Sequence, residues 1–344
     1  MQSAFVTGAT GLLGNNLVRL LLERGVHVKA LVRSPEKARK QFGELKGLEI
    51  VQGDMENISG FRAHLTGCDI LFHTAAYFRE SYGGGKHWAM LKRINVDAAH
   101  ELLEVAYTAG IRRFVHTSSI AVVDGPRGAL IDETMKRNER DADDYYRSKM
   151  LSDQVVSAFL DLHPEMFGVF VMPGWMHGPG DLGPTAAGQF TLDYLKRALP
   201  GIPPGTFAFV DARDVAFASV AAAERGRRGE HYLAAGHHIA MRDLVKIYEK
   251  VTRVPAPKRT IPAGLLWGVA CLQETIACIT GRPALLSLAT VRTMRREMER
   301  TRFDPNKSRI ELGLTFRSIE ETVRDEVEWF TENGSSMIYN ANKM

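Results

Sequence analysis

A tyrosine and a lysine four residues apart could carry acid–base chemistry in this sequence. Residues 145–149 read Tyr-Tyr-Arg-Ser-Lys, and positions i and i+4 share one face of a helix. The Lys149 ammonium would then lie near the Tyr145 phenol and lower its pKa from about 10. Such a phenol can donate or accept a proton at a carbonyl or an alcohol. Tyr146 is one residue too close to Lys149 and is the weaker candidate.

Hydroxyl side chains upstream could complete this catalytic group. The predicted strand that starts at Phe114 ends in Thr117, Ser118 and Ser119. In open α/β sheets, ligands bind beyond the carboxyl ends of the strands. We therefore expect Ser119 to hydrogen-bond a substrate oxygen beside Tyr145.

Three glycines near the start of the chain predict a phosphate-binding turn. Residues 7–14 read Thr-Gly-Ala-Thr-Gly-Leu-Leu-Gly, directly after a short apolar strand and at the start of a helix. Glycine allows a tight turn and a close approach to a pyrophosphate, and the helix N-terminus offers N–H groups to the anion. The alternative is a purely structural glycine-rich turn. The predicted dinucleotide site comprises Gly8, Thr10, Gly11, Leu12, Leu13 and Gly14.

The residues after the second and third predicted strands bear on the choice of dinucleotide. NAD-specific sites usually place an acidic residue after the second strand, where it holds the ribose 2′-hydroxyl. This chain has Arg33 there, with Lys37 one turn later, and a cation favours the 2′-phosphate of NADP. NAD would remain the alternative if Arg33 were only a solvated surface residue. Asp54 is expected beside the adenine, and Met55 against its ring.

Strand-like and helix-like segments alternate through the first half of the chain. This alternation predicts a parallel sheet covered by helices on both faces, which is the doubly wound α/β Rossmann architecture. The predicted strands are 4–6, 26–32, 48–51, 70–73, 114–117 and 167–172, and the predicted helices are 12–23, 87–109 and 143–162.

Glycine and proline are frequent just after residue 172, which indicates a loop over residues 173–184. Further helices are predicted at 214–224, 242–252, 265–280 and 318–331, and short strands at 207–210 and 231–234. We therefore expect a dinucleotide-binding Rossmann domain over residues 1–172, to which residues 207–234 return. A smaller α/β substrate-binding lobe would cover residues 173–334, and a flexible tail residues 335–344.

The composition argues against several classes of protein. The formal net charge is +4, with dispersed basic residues and no aromatic-interleaved basic stripe, so no nucleic-acid partner is expected. Three irregularly spaced cysteines, Cys68, Cys271 and Cys278, predict neither a disulfide framework nor a metal site. The sequence shows no secretory leader pattern and no apolar run of about 20 residues. These features predict a cytoplasmic protein without a membrane partner.

In these motifs the sequence resembles the extended short-chain dehydrogenase/reductase superfamily, also called the NAD-dependent epimerase/dehydratase family. Further matching segments are His73-Thr-Ala-Ala76, Asn95-Val96 and Val210-Asp-Ala-Arg-Asp-Val215. The resemblance implies a catalytic group of Ser119, Tyr145, Lys149 and Asn95. It also implies cofactor contacts from Thr74, Ala75, Ala76, Thr117, Ser118, Tyr145, Lys149 and Pro173.

The same resemblance implies a homodimer. In this superfamily, the helix that carries the tyrosine and lysine packs, with its predecessor, against the same pair of a second subunit. The corresponding segments here are residues 143–162 and 95–109. An apolar stripe on the earlier helix, formed by Ala98, Leu102, Val105 and Ala106, would suit such a helix bundle.

Within the superfamily, the chain is most similar to bacterial dihydroflavonol-reductase-like proteins, a set that includes the hopanoid-associated sugar epimerase group. This likeness rests on Gly178-Pro-Gly-Asp181 with Pro184-Thr-Ala-Ala-Gly188, on Gly229-Glu-His-Tyr232 and on Thr280-Gly-Arg-Pro283. Trp175 replaces the asparagine that holds the diphosphate in nucleotide-sugar epimerases. The replacement favours a more apolar substrate. The residues expected to line its pocket are Tyr77, Phe78, Tyr82, Ser119, Trp175, Met176 and His177.

Three functions remain open at this point. The first is NADP(H)-dependent reduction of a carbonyl on a small molecule, or oxidation of the corresponding alcohol. The second is nucleotide-sugar epimerisation or dehydration with retained NAD(P). The third, a non-catalytic cofactor-binding protein, is disfavoured because such proteins usually lose the tyrosine or the lysine, and this chain has both Tyr145 and Lys149.

Overall fold

The computed structural model describes residues 1–78, 87–280 and 288–333. The strands within these ranges are β1 (Ser3–Thr7), β2 (His27–Val32), β3 (Leu48–Gln52), β4 (Ile70–His73), β5 (Arg113–Thr117), β6 (Phe167–Pro173), β7 (Trp175–His177), β8 (Thr206–Asp211), β9 (His231–Ala234) and β10 (His237–Ala240). The α-helices are α1 (Leu12–Glu23), α2 (Pro35–Phe42), α3 (Trp88–Leu91), α4 (Ala98–Thr108), α5 (Asp144–Leu162), α6 (Ala186–Leu195), α7 (Ala212–Arg225), α8 (Met241–Thr252), α9 (Ala263–Thr280), α10 (Leu288–Glu297), α11 (Asn306–Leu312) and α12 (Ile319–Asn333).

Seven of these strands form one parallel sheet in the order β3-β2-β1-β4-β5-β6-β9. The order reverses between β1 and β4, where a crevice opens beyond the carboxyl ends of the strands. The predicted doubly wound α/β Rossmann fold is thereby confirmed. Among the described residues, no helix is long and apolar enough to cross a membrane.

Side chains alternate along each strand and so bury the two faces of the large sheet against different helices. Val6, Val115 and Val171 belong to the core shared with α1 and α7. Phe5 and Phe114 belong to the opposite core, shared with α4 and α5. This alternation therefore places α5, the helix of Tyr145 and Lys149, against the face opposite the glycine-turn helix.

The apolar stripe predicted for subunit contact serves this second core. Ala98, Leu102 and Ala106 each have 0% exposure and pack with the sheet residues of the α4 and α5 side. Val105, the fourth residue of the stripe, is only partly buried against this core. The interpretation of Ala98, Leu102 and Ala106 as part of a dimer face was wrong, because the apolar face of a surface helix is first used to cover its own sheet.

A smaller sheet, in the order β10-β8-β7, lies in the second half of the chain. Residues 173–184 were predicted as loop, but β7 forms within them and pairs with β8 in parallel. Gly174 allows the sharp change of sheet, since a Cβ there would lie 2.6 Å from the carbonyl oxygen of Ala235. Residues 207–234 were expected to return to the large sheet, and only part of this segment does so. β8 stays in the small sheet, whereas β9 pairs with β6 and α7 packs on α1.

The predicted helix over residues 87–109 consists of three parts. A π-helical segment, Lys92–Asp97, separates α3 from α4. Such segments are frequently found at functional sites, and this one carries Asn95. Tyr82 and the tail 335–344 lie outside the described residues. The flexible tail and the domain boundaries given above therefore stay predictions.

Candidate active site

The glycine turn has the geometry of an anion cradle. Gly8 has a φ of +65°, and a Cβ there would lie 2.7 Å from the Ala75 nitrogen. A Cβ on Gly14 would overlap the Gly8 carbonyl oxygen, so glycine lets α1 pack against the end of β1. Gly11 is the exposed N-cap of α1, and among the described residues no side chain caps this helix. The first N–H groups of α1 therefore suit a pyrophosphate.

The segment after β4 is hydrogen-bonded to the end of β1, beside this turn. The hydroxyl of Thr7, at the end of β1, accepts hydrogen bonds from the backbone nitrogens of Thr74 at 3.2 Å and Ala75 at 3.3 Å. In return, the Thr74 hydroxyl donates to the Thr7 carbonyl at 2.6 Å. The structure thus brings the predicted residues Thr74 and Ala75 against the glycine turn.

Two of the residues predicted for the adenosine end lie at adjacent strand ends. Arg33 is exposed directly after β2, and the Gly53 nitrogen, which follows β3, donates to the Val32 carbonyl at 3.0 Å. Asp54 is therefore close to the end of β2. Met55 departs from expectation: it is only 7% exposed and packs in the α4 and α5 core. Little of its side chain is left to cover an adenine ring.

The proposed catalytic side chains meet where α5 begins and β5 ends. The Lys149 ammonium donates to the Thr117 carbonyl at 2.6 Å. The Ser119 side chain hydrogen-bonds the Tyr145 phenol, and its oxygen accepts from the Ala121 nitrogen at 3.1 Å. The i and i+4 spacing on a helix and the strand end together place three polar groups at one edge of the sheet.

The electrostatics of this group differ from the sequence-based expectation. Burial raises the pKa of Tyr145 above its ordinary value, and the hydrogen bond from Ser119 offsets this only in part. Burial also lowers the pKa of Lys149 to about 8, against the opposing charge of Asp153. The expected depression of the Tyr145 pKa by Lys149 was wrong for this arrangement, because loss of solvation dominates and the ammonium is directed at Thr117.

Asn95 is occupied by contacts within the protein. Its side-chain oxygen accepts from the Tyr77 nitrogen at 2.7 Å. Its amide nitrogen donates to the Tyr77 carbonyl and to the Ser148 hydroxyl, both at 3.0 Å. The Ser148 hydroxyl in turn donates to the Tyr145 carbonyl at 2.7 Å. Since both amide hydrogens are used, Asn95 ties the segment after β4 to α5 and positions Tyr145.

A buried carboxylate beneath the site was not identified from the sequence. The Asp153 Oδ2 atom accepts from the Ser118 hydroxyl at 2.6 Å and lies 3.2 Å from His231 Nε2. The His116 Nε2 atom lies 3.4 Å from Oδ1. Burial would raise the Asp153 pKa, but its contacts with the two histidines hold it below the ordinary range. Asp153 follows Lys149 by four residues on α5, a spacing that could have identified it.

Ser118 is turned away from the crevice by this contact. It is only 2% exposed, so its hydroxyl is committed to Asp153 and not to a cofactor.

Pro173, which was predicted to contact the cofactor, is the last residue of β6 and is buried beside Ala234 of β9.

Aromatic side chains lie on one side of the catalytic tyrosine. The Phe78 ring contacts the Tyr145 ring edge-on, with 4.7 Å between centroids. The Tyr77 hydroxyl lies 2.8 Å from His87 Nδ1, which fixes the ring of Tyr77. Phe78 thus gives the acid–base group an apolar neighbour.

The three pocket residues predicted on β7 face two different cores. Met176 packs against the α1 and α7 core, and Trp175 packs on Phe207 with 4.8 Å between ring centroids. His177 has 0% exposure and its Nδ1 lies 3.1 Å from Glu326. The structure assigns His177 to the interior of the small lobe instead of the pocket, because β7 is a strand in a covered sheet.

Known proteins resemble this chain over nearly its whole length. A family model described as the NAD dependent epimerase/dehydratase family matches residues 4–235. The chain is 33% identical to sterol demethylase protein B of Methylococcus capsulatus, over 97% of this chain and 99% of that protein. It is 33% identical to a dihydroflavonol 4-reductase-like protein of Synechocystis, over 96% and 95% respectively. The solved structure of gox2253 is 30% identical, with a TM-score of 0.81 and coverage of 97% and 99%.

Proposed function

Because the chain belongs to the NAD-dependent epimerase/dehydratase family and is thus an NAD(P)-dependent enzyme, we propose that it reduces a carbonyl group of a moderately apolar small molecule, with NADP(H) as cofactor. The observation that carries the proposal is the contact of Tyr145 with Ser119 on one side and with the Phe78 ring on the other. A proton donor beside an apolar wall suits a carbonyl on an apolar body.

The residues that would hold the cofactor fit a dinucleotide. The pyrophosphate would lie over Gly8, Gly11 and Gly14, where side chains would collide with the backbone at Gly8 and Gly14. The segment 74–76 would border it, and Pro173 at the end of β6 would contact the nicotinamide. When bound, the cofactor supplies a hydride to the substrate carbon or takes one from it.

The side chains of the protein would carry out the proton transfer that accompanies hydride transfer. Tyr145 would donate its phenolic proton to the carbonyl oxygen while Ser119 hydrogen-bonds the same oxygen. A pKa raised by burial keeps the phenol protonated near neutral pH, which favours the reductive direction over alcohol oxidation. Lys149, with a pKa of about 8, can carry or release a proton close to neutral pH.

The preference for NADP(H) rests on Arg33. Its guanidinium is exposed after β2 and makes no ion pair within the part of the chain that the structure describes. A free guanidinium at this position can bind a 2′-phosphate through charge-assisted hydrogen bonds. Lys37 is exposed one turn later and would add a second positive charge. NAD(H) is the alternative cofactor.

Nucleotide-sugar epimerisation is the second candidate, because the matching family is described by its epimerases and dehydratases. Trp175 argues against it, since an indole donates one hydrogen bond and accepts none. The Trp175 ring is also packed against Phe207. The names of the two relatives, a sterol demethylase and a dihydroflavonol reductase-like protein, agree better with a flat or apolar substrate.

One assay separates these candidates. NADPH consumption should be followed with a panel of apolar ketones and aldehydes, for the wild type and for Tyr145→Phe. In parallel, the protein as purified should be incubated with UDP-sugars without added cofactor. A reductase consumes one NADPH per product and does so only with Tyr145 present. Interconversion of UDP-sugars by tightly held cofactor would instead establish the epimerase.

We also propose that the enzyme is a homodimer. The support is the resemblance alone, since the stripe on α4 is used within the subunit. The outer faces of α4 and α5 remain the surface that the resemblance indicates.

A further inference from the structure

Arg137 is a buried arginine that the catalytic group described above does not include. It lies between β5 and α5, and its side chain is only 1% exposed. Its backbone nitrogen donates to the Val122 carbonyl at 2.9 Å. Its Nε atom donates to the Ala121 carbonyl at 2.7 Å, and its Nη2 atom to the Val123 carbonyl at 3.2 Å. One residue thus holds three consecutive carbonyl groups.

These carbonyl groups belong to the turn that follows Ser119. Ser119 is the N-cap of the 3₁₀ turn Ile120–Val122, and its hydroxyl oxygen accepts from the Ala121 nitrogen at 3.1 Å. The same side chain hydrogen-bonds the Tyr145 phenol. A shift of the turn would therefore move the Ser119 hydroxyl relative to Tyr145. Arg137 restrains this turn and, with it, one of the two hydroxyls to which we assign the proton transfer.

The Arg137 guanidinium also contacts the helix that carries the second hydroxyl. Its central carbon lies 4.7 Å from the centroid of the Tyr146 ring, an arrangement in which the cation and the aromatic face attract each other. The Tyr146 ring contacts the Tyr145 ring edge-on, with 6.2 Å between centroids. Arg137 therefore lies between the turn after Ser119 and the first turn of α5.

The charge of Arg137 is balanced by a residue from a distant part of the chain. Glu297, the last residue of α10, places its Oε1 atom 3.1 Å from Nη1 and accepts from Nη2 on Oε2 at 3.1 Å. Asp124 lies farther from Nη1, at 3.5 Å, and also pairs with Arg300 at 3.1 Å. A buried charge that loses its partner is strongly unfavourable. The position of Arg137 thus depends on Glu297 and, through it, on α10.

We propose that Arg137 is a positioning residue that holds Ser119 and Tyr145 together for proton transfer, and that Glu297 links this function to α10. The proposal rests on the proposed roles of Ser119 and Tyr145, in carbonyl reduction or in epimerisation alike. Arg137 acts through these two residues and not on the substrate. A guanidinium suits this role because its donors form a planar fork that serves several acceptors at once, whereas an ammonium is a point charge.

Two substitutions of Arg137 in the full chain separate positioning from stability. Arg137→Met removes every side-chain donor and should lower kcat by roughly 10–100-fold, the cost of a small misplacement of reacting groups. NADPH binding should stay unchanged, since the contacts of Arg137 described above do not involve the glycine turn. Arg137→Lys keeps a charge beside Glu297 and should recover most of the stability to denaturant, but little of kcat.

Glu297→Gln tests the link to α10. It should lower kcat by a smaller factor than Arg137→Met does, and the double variant should lose no more than Arg137→Met alone, because both substitutions act through one pair. Arg296→Gln is the matched control. Arg296 is the neighbour of Glu297 on α10 and pairs with Asp141, also ahead of α5. Within the described part of the chain it forms no hydrogen bond or ion pair with residues 120–122, so kcat should stay at the wild-type value.

Hydrogen exchange tests the same contacts without a substrate. Peptides that cover residues 119–123 should exchange up to about tenfold faster in Arg137→Met, the loss expected when hydrogen bonds that hold the turn are removed. Glu297→Gln should show a smaller increase in the same peptides, and Arg296→Gln none. If Arg137→Met does not fold, Arg137→Lys and Glu297→Gln still report on both the turn and kcat.

Three results would overturn the proposal. They are a wild-type kcat in Arg137→Met, unchanged exchange of residues 119–123 in that variant, and recovery of kcat and stability to the same extent in Arg137→Lys. Tyr145→Phe keeps the proposed function apart from this one. Full activity of Tyr145→Phe refutes the acid–base role, whereas its inactivity beside a fully active Arg137→Met refutes only the role of Arg137. Unchanged exchange refutes that role even where carbonyl reduction is absent.

Discussion

The Ser118 hydroxyl donates a hydrogen bond of 2.6 Å to the Asp153 carboxylate. Ser118 directly precedes Ser119, and Asp153 follows Lys149 by one helical turn. The bond therefore joins the end of β5 to the helix that carries Tyr145 and Lys149. Asp153 also faces His116 of β5 and His231 of β9. These elements are held in register by one buried negative charge.

Replacing Asp153 by asparagine should shift the pH dependence of activity. The carboxylate supports the protonated form of Lys149 against burial, so its neutralisation should move the Lys149 pKa below about 8. The limb of the kcat/KM profile that reports Lys149 should move to lower pH by the same amount. The pH profile of Asp153→Asn beside that of Asp161→Asn, an exposed aspartate on α5, measures the effect. An unshifted profile with intact fold would show that Asp153 does not act on Lys149.

The same lysine predicts how stability depends on pH. Burial lowers the Lys149 pKa from 10.5 to about 8 in the folded protein, so the unfolded chain binds more protons between these two values. By linkage, Lys149 costs stability below pH 8, and this cost is relieved as pH rises toward 10.5. Denaturant unfolding at pH 7.5 and pH 10 should show Lys149→Met gaining stability relative to wild type at the lower pH, by a margin that shrinks at the higher pH. A margin independent of pH would contradict the prediction.

Arg33→Ala should weaken NADPH binding roughly tenfold or more, the expected loss for a charge-assisted hydrogen bond. NADH binding should change little, because NADH has no 2′-phosphate. Fluorescence titration of both cofactors gives the ratio of dissociation constants. Arg39→Ala is the control, since Arg39 is exposed on α2 but lies farther along the helix. A wild type that prefers NADH would refute the role of Arg33.

Tyr145→Phe should reduce kcat by about 10²–10⁴-fold, the usual value of general acid catalysis, while the dissociation constant of NADPH stays the same. Tyr146→Phe should be milder, because the Tyr146 ring packs under the Arg137 guanidinium at 4.7 Å. Steady-state kinetics of the two variants on one carbonyl substrate compares them directly. Equal losses in both would mean that packing, and not proton donation, accounts for the effect.

Light scattering at micromolar concentration should give the mass of a dimer, because the resemblance places α4 and α5 at a subunit contact. Leu151→Arg, on the partly exposed side of α5, should shift the mass toward that of the monomer through burial of an unpaired charge. Leu130→Arg, at an exposed leucine on another part of the surface, should not. A monomeric wild type would contradict the proposal of a homodimer.

The sequence by itself determined the features that depend on neighbouring residues. The glycines at positions 8, 11 and 14 specify a tight turn because backbone conformation is a local property. The spacing of Tyr145 and Lys149 places both on one helical face for the same reason. The alternating strands and helices predicted the parallel sheet, and with it the edge at which Ser119 and the glycine turn meet.

Only the tertiary structure decided which side chains are buried and by what. His177 was interpreted as a pocket residue, but β7 joins a second sheet through β8, some 30 residues later in the chain. Asp153 acquires its partners from two other elements, at His116 and His231. Ala98, Leu102 and Ala106 of α4 turned inward, although their apolar spacing alone was equally compatible with a contact to a second subunit. Periodicity defines the face of an element, whereas burial depends on what packs against that face from distant parts of the chain.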